Sequence, residues 1–175
     1  MISFLKKIFF ILSIISLKSK IKKSKKIYVY DIDNTLSNSW PYINNKKIFP
    51  EKLPFFEKIR DDILKNINSG NLIFFASVRP FKYYFITLSW LKKLGIYISK
   101  KQLLFFSNPK QKIEFLKTLL KINKSIKFYD DLSYNHENNK ILFYKEDIKK
   151  LNQLNIEYID YYMLKKNQNK IKKIL

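Results

Sequence analysis

Aspartates placed two apart just beyond an apolar stretch are equipped for phosphoryl chemistry. In Tyr28-Val29-Tyr30-Asp31-Ile32-Asp33-Asn34-Thr35, Asp31 can act as an anionic nucleophile. Asp33 can protonate a leaving-group oxygen and later take a proton from water. Three further sites along the chain carry complementary groups: Ser77 and Arg79, then Lys110 and Lys112, then the pair Asp130-Asp131. Carboxylates gathered in one place repel one another, and a divalent cation resolves the conflict. Mg2+ prefers oxygen ligands, so Asp31, Asp33, Asp130 and Asp131 are its candidate ligands. A hydroxyl and a lysine would then hold phosphate oxygens in line with the nucleophile.

The elements that must position these groups are legible as alternating strands and helices. Strands are expected at 27–30, 72–76, 103–106 and 126–129, from runs rich in β-branched and aromatic residues. Helices are expected at 51–68, 81–94, 111–122 and 146–154; in the first, Phe55, Ile59, Ile63 and Ile67 recur at helical spacing. Further strands are expected at 141–144 and 156–162. This alternation implies an α/β fold with a mostly parallel sheet covered on both faces. Ligands of such sheets bind beyond the carboxyl ends of the strands. Acid, hydroxyl, cation and acid follow four successive strands and so reach one rim.

Composition narrows the field. The 175 residues suffice for one domain with a core, and 46% of them are apolar. Cysteine is absent, which excludes disulfides, thiolate nucleophiles and cysteine–zinc sites. The net charge is +21, yet the only arginines are Arg60 and Arg79. Lysine, isoleucine, asparagine, phenylalanine and tyrosine share A/T-rich codons, so much of the lysine reads as filler on solvated faces. Nucleic acid is therefore a partner that the charge permits but does not favour.

The chain divides into a basic, apolar N-terminal segment (1–26), a catalytic domain (27–165) and a lysine-rich tail (166–175) expected to fray. Residues 8–17 are almost wholly apolar, too few for the roughly 20 that span a bilayer. No small-residue cleavage site follows, so a cytoplasmic chain is expected. Phe4, Ile8, Ile11, Leu12 and Ile15 share one face of a helix, flanked by Lys6, Lys7 and the lysines from 18 to 26. That helix either lies on an anionic membrane at its inner face or packs on the domain or a partner.

Four segments together resemble the haloacid dehalogenase superfamily of phosphohydrolases, over residues 27 to about 135. Asp31-x-Asp33-x-Thr35 after a strand matches its first motif. Phe-Phe-Ala-Ser77-Val-Arg79 stands for the second, with Val78 where glycine is common. Lys112, or alternatively Lys110, stands for the third, and Phe-Tyr-Asp130-Asp131 for the fourth. The resemblance implies a Rossmannoid three-layer sandwich and a Mg2+-dependent phosphomonoesterase. Asp31 would be the nucleophile and Asp33 the acid/base, with the Asp33 backbone carbonyl also on the metal. Ser77 and Lys112 would bind phosphate, Asp130 would be a metal ligand, and Asp131 would assist it or orient the lysine.

Spacing between the motifs leaves no room for a large cap domain, so a capless member is implied. Such sites are open to bulky substrates or closed by a neighbouring subunit in a homo-oligomer. Ser77-Val-Arg79-Pro and the segment 84–91 resemble the phosphatase domain of polynucleotide kinase-phosphatases and small phosphatases encoded among surface-polysaccharide genes, and Trp40-Pro41 resembles the latter group. A phosphorylated sugar, nucleotide or polymer end is the substrate class this implies. A catalytically silent phosphate-binding or membrane-recruitment module and a nucleic-acid end-processing phosphatase are the alternatives. Thr35 and Arg79 are candidate substrate contacts, although Arg79 would equally pair with an acid. Trp40, Tyr42 and Phe49 could line an entrance flap, and His136 reads as a loop residue near the rim.

Overall fold

Ile27 and Val29 alternate with Tyr28 and Tyr30, so a strand built from them offers an apolar row to each side. In a computed structural model this strand, β1 (Ile27–Tyr30), is the centre of a parallel sheet. The structure describes residues 2–39, 52–134, 140–168 and 170–173. In chain order the elements are α1 (Ile2–Lys23), β1, β2 (Phe55–Phe56), α2 (Glu57–Asn68), β3 (Leu72–Ser77), α3 (Tyr84–Lys93), β4 (Leu103–Phe105), α4 (Pro109–Leu120) and β5 (Ile126–Tyr129). Then follow β6 (Ser133–Tyr134), β7 (Leu142–Phe143), α5 (Lys145–Asn152), β8 (Glu157–Ile159), α6 (Tyr161–Asn167) and β9 (Ile171–Lys172).

The main sheet runs β4-β3-β1-β5-β8, all parallel. One face is covered by Ile59 and Ile63 of α2, Trp90 and Leu91 of α3 and Leu164 of α6. The other is covered by Ile14, Leu17 and Ile21 of α1, Phe115, Leu116 and Leu119 of α4 and Leu151 of α5. This is the expected three-layer α/β/α sandwich. The chain moves outward from β1 through β3 to β4 and then crosses to β5 on the opposite side. Between β1 and β5 the winding reverses, which is where such sheets open a crevice at their carboxyl ends.

Several elements differ from the sequence reading. The helix expected from residue 51 begins at Glu57, because Pro54 disfavours helix before it and Phe55–Phe56 pair as β2 with β9. The strand at 142–143 joins a separate hairpin with β6, and β8 instead completes the main sheet. The tail does not simply fray: β9 is pinned by Lys170 and Lys172, which both pair with Glu57. Residues 40–51 and 135–139, and with them Trp40, Tyr42, Phe49 and His136, lie outside the described residues.

The N-terminal segment is part of the core, but through the face opposite to the one expected. Ile14, Leu17 and Ile21 are buried, while Ile8, Ile11, Leu12 and Ile15 are exposed. Phe10 packs edge-on against Phe106 and Phe115, and Phe9 against Tyr84. Asn123 ties the far end of the helix by donating to the carbonyls of Ile21 and Ser24. Among the described residues no helix is long and apolar enough to cross a membrane.

Candidate active site

Each strand of the central three leads at the crevice to a candidate functional residue. The backbone N–H of Asp31 donates to the Tyr129 carbonyl at 2.8 Å, continuing the ladder between β1 and β5 by one step. That step sets Asp31 beside Asp130. Asn34 then adopts φ 59° and Leu132 φ 42°, so each acidic segment is followed by a left-handed residue. Asparagine tolerates that region. For Leu132 it costs about 1–3 kcal/mol, and such strain persists where the surroundings over-determine it. Here the Leu132 N–H is bonded to Asp130 Oδ1 at 2.9 Å.

Lysine 112 is delivered by the start of α4. Asn108 caps that helix by accepting from the Gln111 N–H, and Pro109 occupies its first position. The cap fixes the helical phase: Lys112 faces inward and is 4% exposed, while Lys110 faces solvent. Lys112 Nζ donates to Asp31 Oδ1 at 2.6 Å and to Asp130 Oδ2 at 2.7 Å. Of the two candidate lysines, Lys112 is therefore the one that reaches Asp31 and Asp130.

Asp31, Asp130 and Asp131 are all buried, with carboxylate oxygens within 4.8 Å of one another. Together with Lys112 these groups carry a formal charge of two negative. Burial pushes Asp31 well above the usual carboxylate range, against the pull of Lys112, and neighbouring Asp130 adds to the rise. Asp130 rises for the same first reason, burial, again opposed by Lys112. Lys112 moves the other way: burial works against its charge, but Asp130 and Asp31 outweigh it and raise its pKa. A buried cluster of three carboxylates with surplus negative charge fits a hard divalent cation. Asp131 accepts a hydrogen bond from Ser133, and the Asp130 carbonyl accepts one from Tyr158 at 2.9 Å.

Asp33 stands apart from that cluster. Its two oxygens accept from Arg79 Nε at 2.7 Å and Nη2 at 2.8 Å, a bidentate fork. Burial opposes its ionisation, but the charge and hydrogen bonds of Arg79 prevail and hold Asp33 below the usual carboxylate range. Arg79 is itself buried and fixed by Thr87 Oγ1 at 3.1 Å. So Arg79, read as either a substrate contact or an acid's partner, pairs with the acid. Ser77 is fully buried and donates to Asp33 Oδ2 over 3.4 Å. Thr35 is also fully buried, and among the described residues its hydroxyl has no hydrogen-bond partner.

Three supporting residues were invisible to motif reading. Lys6 of α1, 9% exposed, donates to the carbonyls of Phe106 at 2.8 Å and Arg79 at 3.3 Å. Thr87 steadies Arg79, and Gln168 donates to the Asn34 carbonyl. Nothing in local sequence marks them, because each acts across the fold.

The sheet order and this acid–lysine centre at its reversal point define a Rossmannoid α/β domain with a candidate phosphoryl-transfer site. No family model matches the sequence, and no curated protein matches it either. Among solved structures the chain is similar to the Class C acid phosphatase from Bacillus anthracis, with a TM-score of 0.51 and 16% identity. The similarity covers 91% of this chain and 77% of that one, and at this identity it is a similarity of fold.

Proposed function

We propose that the protein is a magnesium-dependent phosphomonoesterase that works through an aspartyl-phosphate on Asp31. The observation that carries this reading is the buried ammonium of Lys112, shared between Asp31 and Asp130 at the carboxyl edge of the sheet. Fold similarity to an acid phosphatase supports it. The substrate class is a phosphate monoester on a sugar, a nucleotide or a polymer end, taken up by a capless site.

Asp31, Asp130 and Asp131 would hold the metal, together with the Asp33 backbone carbonyl. Bound there, Mg2+ supplies charge neutralisation that lets an anionic phosphate approach an anionic carboxylate. Lys112 keeps Asp31 oriented and adds positive charge beside the transferring group. An Asp31 oxygen forms a bond to phosphorus while the phosphorus–oxygen bond to the leaving alcohol breaks. Asp33, in its protonated form, gives its proton to that departing oxygen. Water then attacks the aspartyl-phosphate, Asp33 takes the water's proton, and the bond between phosphorus and Asp31 breaks to release phosphate. Arg79 and Ser77 keep Asp33 aimed at this position.

The test is phosphate release from p-nitrophenyl phosphate and from a panel of sugar phosphates, nucleotides and 3′-phosphorylated oligonucleotides. Wild-type turnover that needs Mg2+ and vanishes in Asp31→Asn is the expected result. No Mg2+-dependent turnover on any member of the panel would overturn the proposal.

A further inference from the structure

Helix α1 is apolar on two opposite faces. Ile14, Leu17 and Ile21 close the core beneath it. Ile8, Ile11, Leu12 and Ile15 form a row on the outside, with Leu12 58% and Ile15 65% exposed. A helix apolar all round is normally covered all round, and here the described residues of the domain cover one side only. The outer row is continued along the helix by Lys18, Lys22 and Lys23, all exposed, with Lys20 and Lys25 nearby. Exposed aromatic surface adjoins it: Phe9 meets Phe81 and Tyr84, and Phe85, 66% exposed, stands edge-on to Tyr84.

We propose that this outer face of α1 docks on an anionic lipid surface, with the isoleucine–leucine row in the acyl boundary and the lysines at the headgroups. Charge decides between occupants. A second copy of a chain with net charge +21 meets strong repulsion, whereas an anionic bilayer meets attraction. The row is too short to cross, and lysine stems can lie along apolar surface while their charges stay in water. Docking would hold the catalytic rim near the lipid boundary, because Lys6 on the same helix contacts the carbonyls of Arg79 and Phe106. The inference does not depend on the phosphatase reading.

Deleting the helix is a poor test, since it strips Ile14, Leu17 and Ile21 from the core. The double variant Leu12→Glu/Ile15→Glu alters only exposed positions and leaves fold and turnover of a soluble aryl phosphate unchanged. Binding of the full chain to vesicles of phosphatidylglycerol and phosphatidylcholine should fall roughly a hundredfold in this variant. Wild-type binding should also weaken as salt rises and on phosphatidylcholine alone. Equal vesicle binding by the double variant overturns the proposal. So does absence of binding to the anionic vesicles, or a concentration-dependent dimer in light scattering that the same substitutions abolish.

Discussion

Arg79 grips Asp33 through two parallel hydrogen bonds, at 2.7 and 2.8 Å, and is held in turn by Thr87. A carboxylate so held stays ionised where a general acid must be protonated. In the proposed mechanism the first half-reaction and the second therefore make opposite demands on one residue, and pH would decide between them.

The sign follows from the lowered pKa of Asp33. Its protonated fraction grows as pH falls, so within the range where Asp31 stays ionised, turnover of alkyl phosphates, whose leaving groups need a proton, should gain on that of aryl phosphates toward acid pH. Aryl phosphates, which leave as stabilised anions, should show a flatter profile. Arg79→Met lifts the Asp33 pKa and should move the alkyl profile toward neutrality. Superimposable alkyl and aryl profiles in the wild type would remove this account. The same pair contributes folding stability above about pH 4, the ordinary carboxylate value, and loses it as pH drops through the lower folded-state value.

Lys112 is the positive charge that both Asp31 and Asp130 contact. Lys112→Met leaves those carboxylates buried together, a loss of roughly 3–5 kcal/mol at neutral pH by analogy with broken buried pairs. Both carboxyls already sit above their ordinary pKa through burial. Groups with raised folded-state pKa destabilise the fold as they ionise, so the variant should recover stability as pH is lowered. Urea unfolding in EDTA at pH 7.5 and 5.5 measures this. An equal deficit at both values would mean that the loss is packing, not charge.

Metal binding should be visible without turnover. At a Mg2+ concentration about a hundredfold above its dissociation constant, linkage adds about 2.7 kcal/mol. For a domain of this size that corresponds to a rise in melting temperature of roughly 5–10 °C. Asp130→Asn should abolish the Mg2+-dependent part of the rise. An unchanged melting temperature with and without Mg2+, at any concentration, counts against the cluster as a metal site.

Lys6 of α1 holds the loop beyond β3 through the Arg79 carbonyl. Lys6→Met leaves two buried carbonyls without their partner and should cost about 1–3 kcal/mol. Its effect on chemistry should appear as a fall in kcat with a smaller change in KM, because it loosens the segment carrying Ser77 and Arg79. Amide exchange at Arg79 and Phe106 should speed up in parallel. Slower turnover without faster exchange would assign the effect to something other than this tether.

The sheet was readable in advance for a physical reason. Runs such as Ile27–Tyr30 and Leu72–Ser77 are buried on both faces, and that burial demands continuous apolar sequence. The order of Asp31, Ser77, Lys112 and Asp130 after successive strands was readable too, since parallel topology sends every such residue to the same edge. Partnership was not readable. Only the phase of α4, fixed by Asn108 and Pro109, chose Lys112 over Lys110. Only the fold aimed Arg79 at Asp33 and brought Lys6 across from the N-terminus. For α1 the sequence determined an almost wholly apolar run with one face picked out, and tertiary packing decided that the core would take the other. Local spacing sets what each element can offer, whereas the match of shape and charge between distant elements sets what each offer meets.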